Sequence, residues 1–148
     1  MRRIFKCNQG TNTMQTSLKR MNPATLPNTG SMGYSQIVVV NPGTLAFVSG
    51  QVAQTADGSA VPDGLAAQTS QVVANLAEAL RAVGASPQDI VQMRIYVTHL
   101  DDDAIAIAMP PIMGFLDGAK PSLTGIGVAA LAGPDLKIEI EMIVQVPD

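Results

Sequence analysis

Tryptophan is absent from the chain, aromatic residues make up only 3% of it, and there is one cysteine and one histidine in 148 residues. A lone thiol, Cys7, cannot close an internal disulfide; this fits a reducing cytoplasm, where thiols stay reduced. His99 has no second imidazole or thiolate near it in sequence, so a zinc-type ligand set is not expected, and His99 reads as a structural residue. No apolar run approaches the ~20 residues that would span a bilayer, and Arg2 and Arg3 are followed by no apolar segment of the secretory kind. A membrane partner is not expected.

Charge is also scarce: charged side chains are 14% of the chain against about 25% in ordinary globular proteins, while apolar residues reach 47%. The shortfall points to surface buried in a homo-oligomer, with a monomer coated in Ser, Thr, Gln and Gly as the alternative. The charge is unevenly spread. Residues 1–30 carry five basic side chains and no acid, whereas residues 31–148 hold four basic and twelve acidic side chains, a net −8. A surface of that sign repels phosphate backbones, and no basic patch with interleaved aromatics is present, so nucleic acid is not an expected partner.

What is present is periodicity. Leu136–Val144 alternates strictly, with Leu136, Ile138, Ile140, Met142 and Val144 on one face and Lys137, Glu139 and Glu141 on the other. Ile90–Leu100 alternates as well. Leu65, Thr69, Val72, Leu76 and Leu80 recur at helical intervals, which predicts a helix from Asp63 as N-cap to Gly84 as the residue beyond its end. Asp101-Asp102-Asp103 suits the positive end of a second helix, which Pro110-Pro111 should break. Gln36–Val40 and Thr44–Ala53 flank an Asn41-Pro42-Gly43 turn and read as a hairpin-like pair. The polar stretch before them makes residues 1–32 a flexible extension, with Met14 or Met21 as alternative working starts, and residues 33–148 the folded domain. A basic, acid-poor leader also occurs in transit peptides, but residues 1–20 show no amphipathic period. The order is β-β-α-β-α-β-β, an α+β layer with two helices on one face of a mixed sheet.

Glu139 and Glu141 share a strand face, where they either line a polar cleft and handle a water or a proton, or stand in solvent beside Lys137. The second reading suits an edge strand, as the chain's last strand could be. Gly50, Gly125 and Gly127 inside strands mark bulges or places where a ligand or a neighbouring chain comes close to the backbone. Met109, Met113 and Met142 read as core filler.

Taken in order, Gly33-Tyr34-Ser35-Gln36, Val48-Ser49-Gly50-Gln51, Gln68-Thr69, Asn75-Leu76, Gly84 and Ile138-Glu139-Ile140-Glu141 resemble the RidA/YjgF family over about three quarters of the chain. The resemblance implies a chorismate-mutase-like fold, a homotrimer, and clefts between subunits. It also implies hydrolysis of reactive imines and enamines without metal or cofactor. On this likeness Glu139 positions the attacking water, and Tyr34, Ser49, Gly50, Leu123 and Gly125 are the ligand-binding residues of the cleft.

Two departures stand out. Where the family reads Pro-Ala-Arg-Ser, this chain reads Pro121-Ser122-Leu123-Thr124, so the arginine that grips a substrate carboxylate is a leucine. Where the family usually has proline before the tyrosine, this chain has Gly33. The expectation is a hydrolase of altered specificity. The alternatives are a non-catalytic binding or chaperone-like module of the same fold, and, less in keeping with the charge, a ribonuclease or translation inhibitor. Arg94 and Lys120 are the candidates to replace the lost cation.

Overall fold

The computed structural model describes residues 18–148; Cys7, Met14 and the rest of the extension read over residues 1–17 lie outside the described residues. Six strands and two helices follow in the order β1 (Lys19–Met21), β2 (Ile37–Val39), β3 (Leu45–Gln51), α1 (Leu65–Ala82), β4 (Ile90–Thr98), α2 (Asp102–Leu116), β5 (Ser122–Val128) and β6 (Ile138–Gln145). From β2 onward this is the order that the periodicity predicts.

The main sheet runs β3-β6-β4-β5, antiparallel except for the parallel pair β4 and β5. The last strand is therefore central, not an edge, and the solvated-edge reading of its charges does not hold. Alternation set its two faces correctly: Leu136, Ile138, Ile140, Met142 and Val144 are all buried. The last four meet Ile90, Met93, Ile95 and Val97 of β4 and a layer made by Val72, Leu76 and Leu80 of α1 with Ala104, Ala108, Ile112 and Leu116 of α2. Both helices cover that one face. The other sheet face is uncovered, and Phe47 stands 74% exposed on it.

Four expectations need correction. Ile37–Val39 does not pair with β3 as a hairpin; it pairs antiparallel with Lys19–Met21, while β3 pairs with β6. Order also begins well before residue 33. The Arg20 guanidinium donates to the carbonyls of Lys120 and Gln88 at 3.1 and 2.7 Å, and Lys120 Nζ donates to the Gly30 carbonyl at 2.9 Å. Backbone and cationic bonds hold this segment, and neither leaves an apolar period in the sequence.

Helix α2 passes through Pro110 and Pro111 without breaking. The carbonyls deprived of donors belong to Ala106 and Ile107, both exposed, where water can serve them. Burial of Ala104, Ala108, Ile112 and Leu116 at four-residue spacing holds both halves of the helix on the sheet. The aspartate run does start it, with the Asp101 carboxylate accepting from the Ala104 amide at 2.8 Å.

Helix α1 begins after Gly64 with no side-chain cap, so Asp63 is not its N-cap. Its end is as expected: the amides of Gly84 and Ala85 donate back to Arg81 and Leu80. Gln68 of this helix is buried. It donates to the Asp135 and Pro62 carbonyls at 2.7 and 3.1 Å and accepts from the Lys137 amide at 2.8 Å.

Candidate functional site

The six residues singled out from the sequence fall into two groups on the folded chain. Tyr34, Leu123 and Gly125 come together. The Ser35 amide donates to the Pro121 carbonyl at 2.9 Å and Ser35 bridges Ser122, so the Tyr34 segment runs beside β5 like a further strand. Leu123 and Gly125 oppose Met93 and Ile95, which turns them toward α2. Between these elements lies a cavity of about 440 Å³. Its walls include Met32, Tyr34, Ile105, Met109, Met113 and Leu123, and no charged side chain is among its lining residues. The Tyr34 hydroxyl is the only polar side-chain group there. Met109 and Met113 are thus half-buried wall residues and not plain core filler, whereas Met142 is core as expected.

Ser49, Gly50 and Glu139 form the second group, at the β3–β6 pair. The register slips between Val48 and Gln51, a bulge that places Ser49 and Gly50 together against Glu141. A Cβ on Gly50 would stand 1.8 Å from Glu139 Oε1 and 2.6 Å from its carboxyl carbon. Glutamate 139 therefore lies directly over the Gly50 backbone, a close approach that only glycine permits. Ser49 is exposed and lines a groove of about 450 Å³ on the uncovered face with Arg94 and Glu141.

The two glutamates of β6 have different surroundings. Glu141 accepts from Arg94 Nη1 at 2.7 Å and from the Tyr96 hydroxyl at 3.1 Å. The Arg94 hydrogen bond holds Glu141 below the ordinary carboxylate range, against the effect of burial. Burial, with Glu141 adding to it, raises the Tyr96 phenol. Glu139, half-buried, makes no hydrogen bond or ion pair among the described residues. This cluster of Arg94, Tyr96 and Glu141 was not singled out from the sequence; its signal was the shared polar face of two strands whose pairing the sequence does not specify.

Neither candidate cation reaches the cavity. Arg94 points to the opposite sheet face, and Lys120 is committed to the Gly30 carbonyl. His99 is exposed in a positive-φ turn after β4 (φ 61°), and no group of three His, Cys, Asp or Glu able to hold a metal occurs among the described residues.

A model of the Endoribonuclease L-PSP family matches residues 27–146. The chain belongs to that family. It is 38% identical over 106 residues to Protein mmf2, mitochondrial, of Schizosaccharomyces pombe, covering 70% of this chain and 82% of the relative. It is 32% identical over 111 residues to the 2-iminobutanoate/2-iminopropanoate deaminase of Rattus norvegicus, covering 74% and 77%. The crystal structure of YyfB, a Rid-family protein of Yersinia pestis, superposes with a TM-score of 0.81 at 40% identity over 86% of this chain and 98% of that one. The RidA/YjgF resemblance read from the sequence is thereby established, and with it the chorismate-mutase-like α+β fold.

Gly33 explains one departure from that family pattern. It takes φ +85°, and a Cβ there would meet Met113 Cε at 2.0 Å. A proline ring, fixed near φ −65°, cannot occupy this position. Gly33→Ala should lose about 1–2 kcal/mol from backbone strain alone and displace Met113 from the cavity wall. A fall in the thermal midpoint together with weaker uptake of an apolar probe would report both effects.

Proposed function

We propose that the chain works as a homotrimer whose intersubunit clefts bind a small organic molecule. In this reading the cleft hydrolyses an imine, enamine or related labile bond, with Glu139 orienting the attacking water. The observation that carries it is the contrast between the two glutamates. Glu141 is bound by Arg94 and Tyr96, while Glu139 keeps its carboxylate free over Gly50. A free carboxylate near a reacting carbon can take the proton of an attacking water and return it to the leaving nitrogen.

The trimer belongs to the reading because one chain separates its halves. Tyr34, Leu123 and Gly125 lie by β5, one end of the sheet, and Ser49, Gly50 and Glu139 lie by β3, the other end. A head-to-tail contact between unlike ends, repeated with closure, makes a ring. The uncovered sheet face with Phe47 supports the same reading. Phe47→Glu should therefore yield monomers with the secondary structure intact, and light scattering with circular dichroism would show it; a variant of unchanged mass would count against the assembly.

No helix among the described residues is long and apolar enough to cross a membrane. A cytoplasmic setting is part of the proposal and rests on the sparse use of cysteine. RNA is not the proposed substrate, because residues 31–148 carry a net −8 and the chain has one histidine. The test of the hydrolase is release of ammonia and carbonyl product from imines generated in situ, over the spontaneous rate. A protein that binds such molecules without speeding their decay would be the non-catalytic module instead.

A further inference from the structure

Resting on the hydrolase reading, we propose that the substrates are imines of amines, not imines of amino acids: R–CH=NH with a hydrocarbon R and no carboxylate. The argument is an inventory of positive charge. Six cationic side chains lie among the described residues: Lys19, Arg20, Arg81, Arg94, Lys120 and Lys137. None of them lines the cavity at Leu123. Arg20 donates to the Lys120 and Gln88 carbonyls, Arg81 pairs with Glu78, Arg94 pairs with Glu141, and Lys120 binds the Gly30 carbonyl. Lys19 and Lys137 are exposed and away from it.

A carboxylate entering this cavity gives up its water and meets, among the side chains that this chain contributes, only the Tyr34 hydroxyl as a polar partner. Buried charge without a partner is strongly disfavoured, and the net charge of the described residues, six cations against twelve acids or −6, adds to the refusal. A hydrocarbon group meets the opposite situation. Leu123, Ile105 and the thioethers of Met32, Met109 and Met113 give it an apolar wall whose long side chains adjust to its shape. The one polar group, Tyr34, is placed to hydrogen-bond a nitrogen or oxygen at the end of such a molecule.

The chemistry balances without any co-reactant beyond water. Water oxygen bonds to the imine carbon, the C=N π pair moves to nitrogen, and one of the water's protons passes to that nitrogen. The carbinolamine hydroxyl then gives its proton to the nitrogen, its O–H pair forms the C=O bond, and the C–N bond breaks with its pair leaving on nitrogen as ammonia. The sum is R–CH=NH plus water giving R–CHO plus ammonia. Such imines arise from the two-electron oxidation of primary amines, so the reaction that supplies the substrate is an amine oxidation. An aldehyde-consuming step should follow.

The experiment generates both kinds of imine in the presence of the full-length protein. A flavin-dependent amine oxidase acting on propylamine, butylamine and pentylamine supplies the neutral imines. An L-amino-acid oxidase acting on norvaline and norleucine supplies the acids, and ammonia release is measured over the spontaneous rate. The neutral imines should be hydrolysed with kcat/KM at least tenfold above the imino acids of equal chain length. The value should rise about fourfold for each added methylene until the cavity is full. Equal rates, or preference for the imino acids, would overturn this inference while leaving the hydrolase in place. No acceleration of either kind would overturn the hydrolase reading and this inference with it.

Discussion

Replacing Leu123 by arginine should make the cavity bind carboxylates, tightening its hold on 2-imino and 2-oxo acids by roughly ten- to a few hundred-fold. A charge-assisted bond to a carboxylate contributes about 1.5–3 kcal/mol, and a guanidinium offers two parallel donors to one acid group. There is room for the longer side chain, because a Cβ added at the neighbouring Gly125 would have no atom within 4 Å. The same substitution should destabilise the unliganded protein, since a cation among methionines and isoleucines lacks a counter-charge. A carboxylate ligand should then raise the thermal midpoint of Leu123→Arg and leave that of the parent unchanged. Titration calorimetry with a non-hydrolysable 2-oxo acid reads the affinity directly. If parent and variant bound it alike, residue 123 would not determine specificity.

The second large effect is expected at Glu139. Glu139→Gln keeps the shape and removes the base, and should lower kcat by about 10²–10⁴ with little change in thermal stability, since the carboxylate makes no hydrogen bond or ion pair among the described residues. Gly50→Ala tests the same group without altering it. Its methyl would stand 1.8 Å from Glu139 Oε1, so the carboxylate must leave its place, and the rate should fall although the acid is still present. Retention of full turnover by Glu139→Gln would remove Glu139 from the mechanism. Loss of turnover with an unaltered ligand-binding profile is the result that the hydrolase requires.

Much of this fold was written in local patterns. The alternation of Leu136–Val144 told which side chains are buried, and the spacing of Val72, Leu76 and Leu80 with Gly84 placed the first helix. Patterns of this kind fix faces and ends, but they do not name neighbours. Nothing in Ile37–Val39 says that its partner is Lys19–Met21 and not β3, and nothing in β6 says that it lies between β3 and β4. Pro110-Pro111 misled for the converse reason: the lost hydrogen bonds fall on exposed carbonyls, where their cost is small against the burial of Ile112 and Leu116.

The site was legible in part. Resemblance named Tyr34, Ser49, Gly50, Leu123, Gly125 and Glu139, and the fold gathers Tyr34, Leu123 and Gly125 at one end of the sheet and Ser49, Gly50 and Glu139 at the other. The Met32 and Met113 walls and the Arg94–Tyr96–Glu141 cluster depend on which segments meet, and so only the folded chain reveals them.

The buried amide of Gln68 grips the turn that leads into β6, holding Asp135 and Lys137 by their backbone four and two residues before Glu139. Because that clasp touches main chain only, the outward side chains at 137, 139 and 141 can be exchanged without shifting the strand lengthwise. Such a chain can acquire a new reaction by point replacement while its scaffold stays in register.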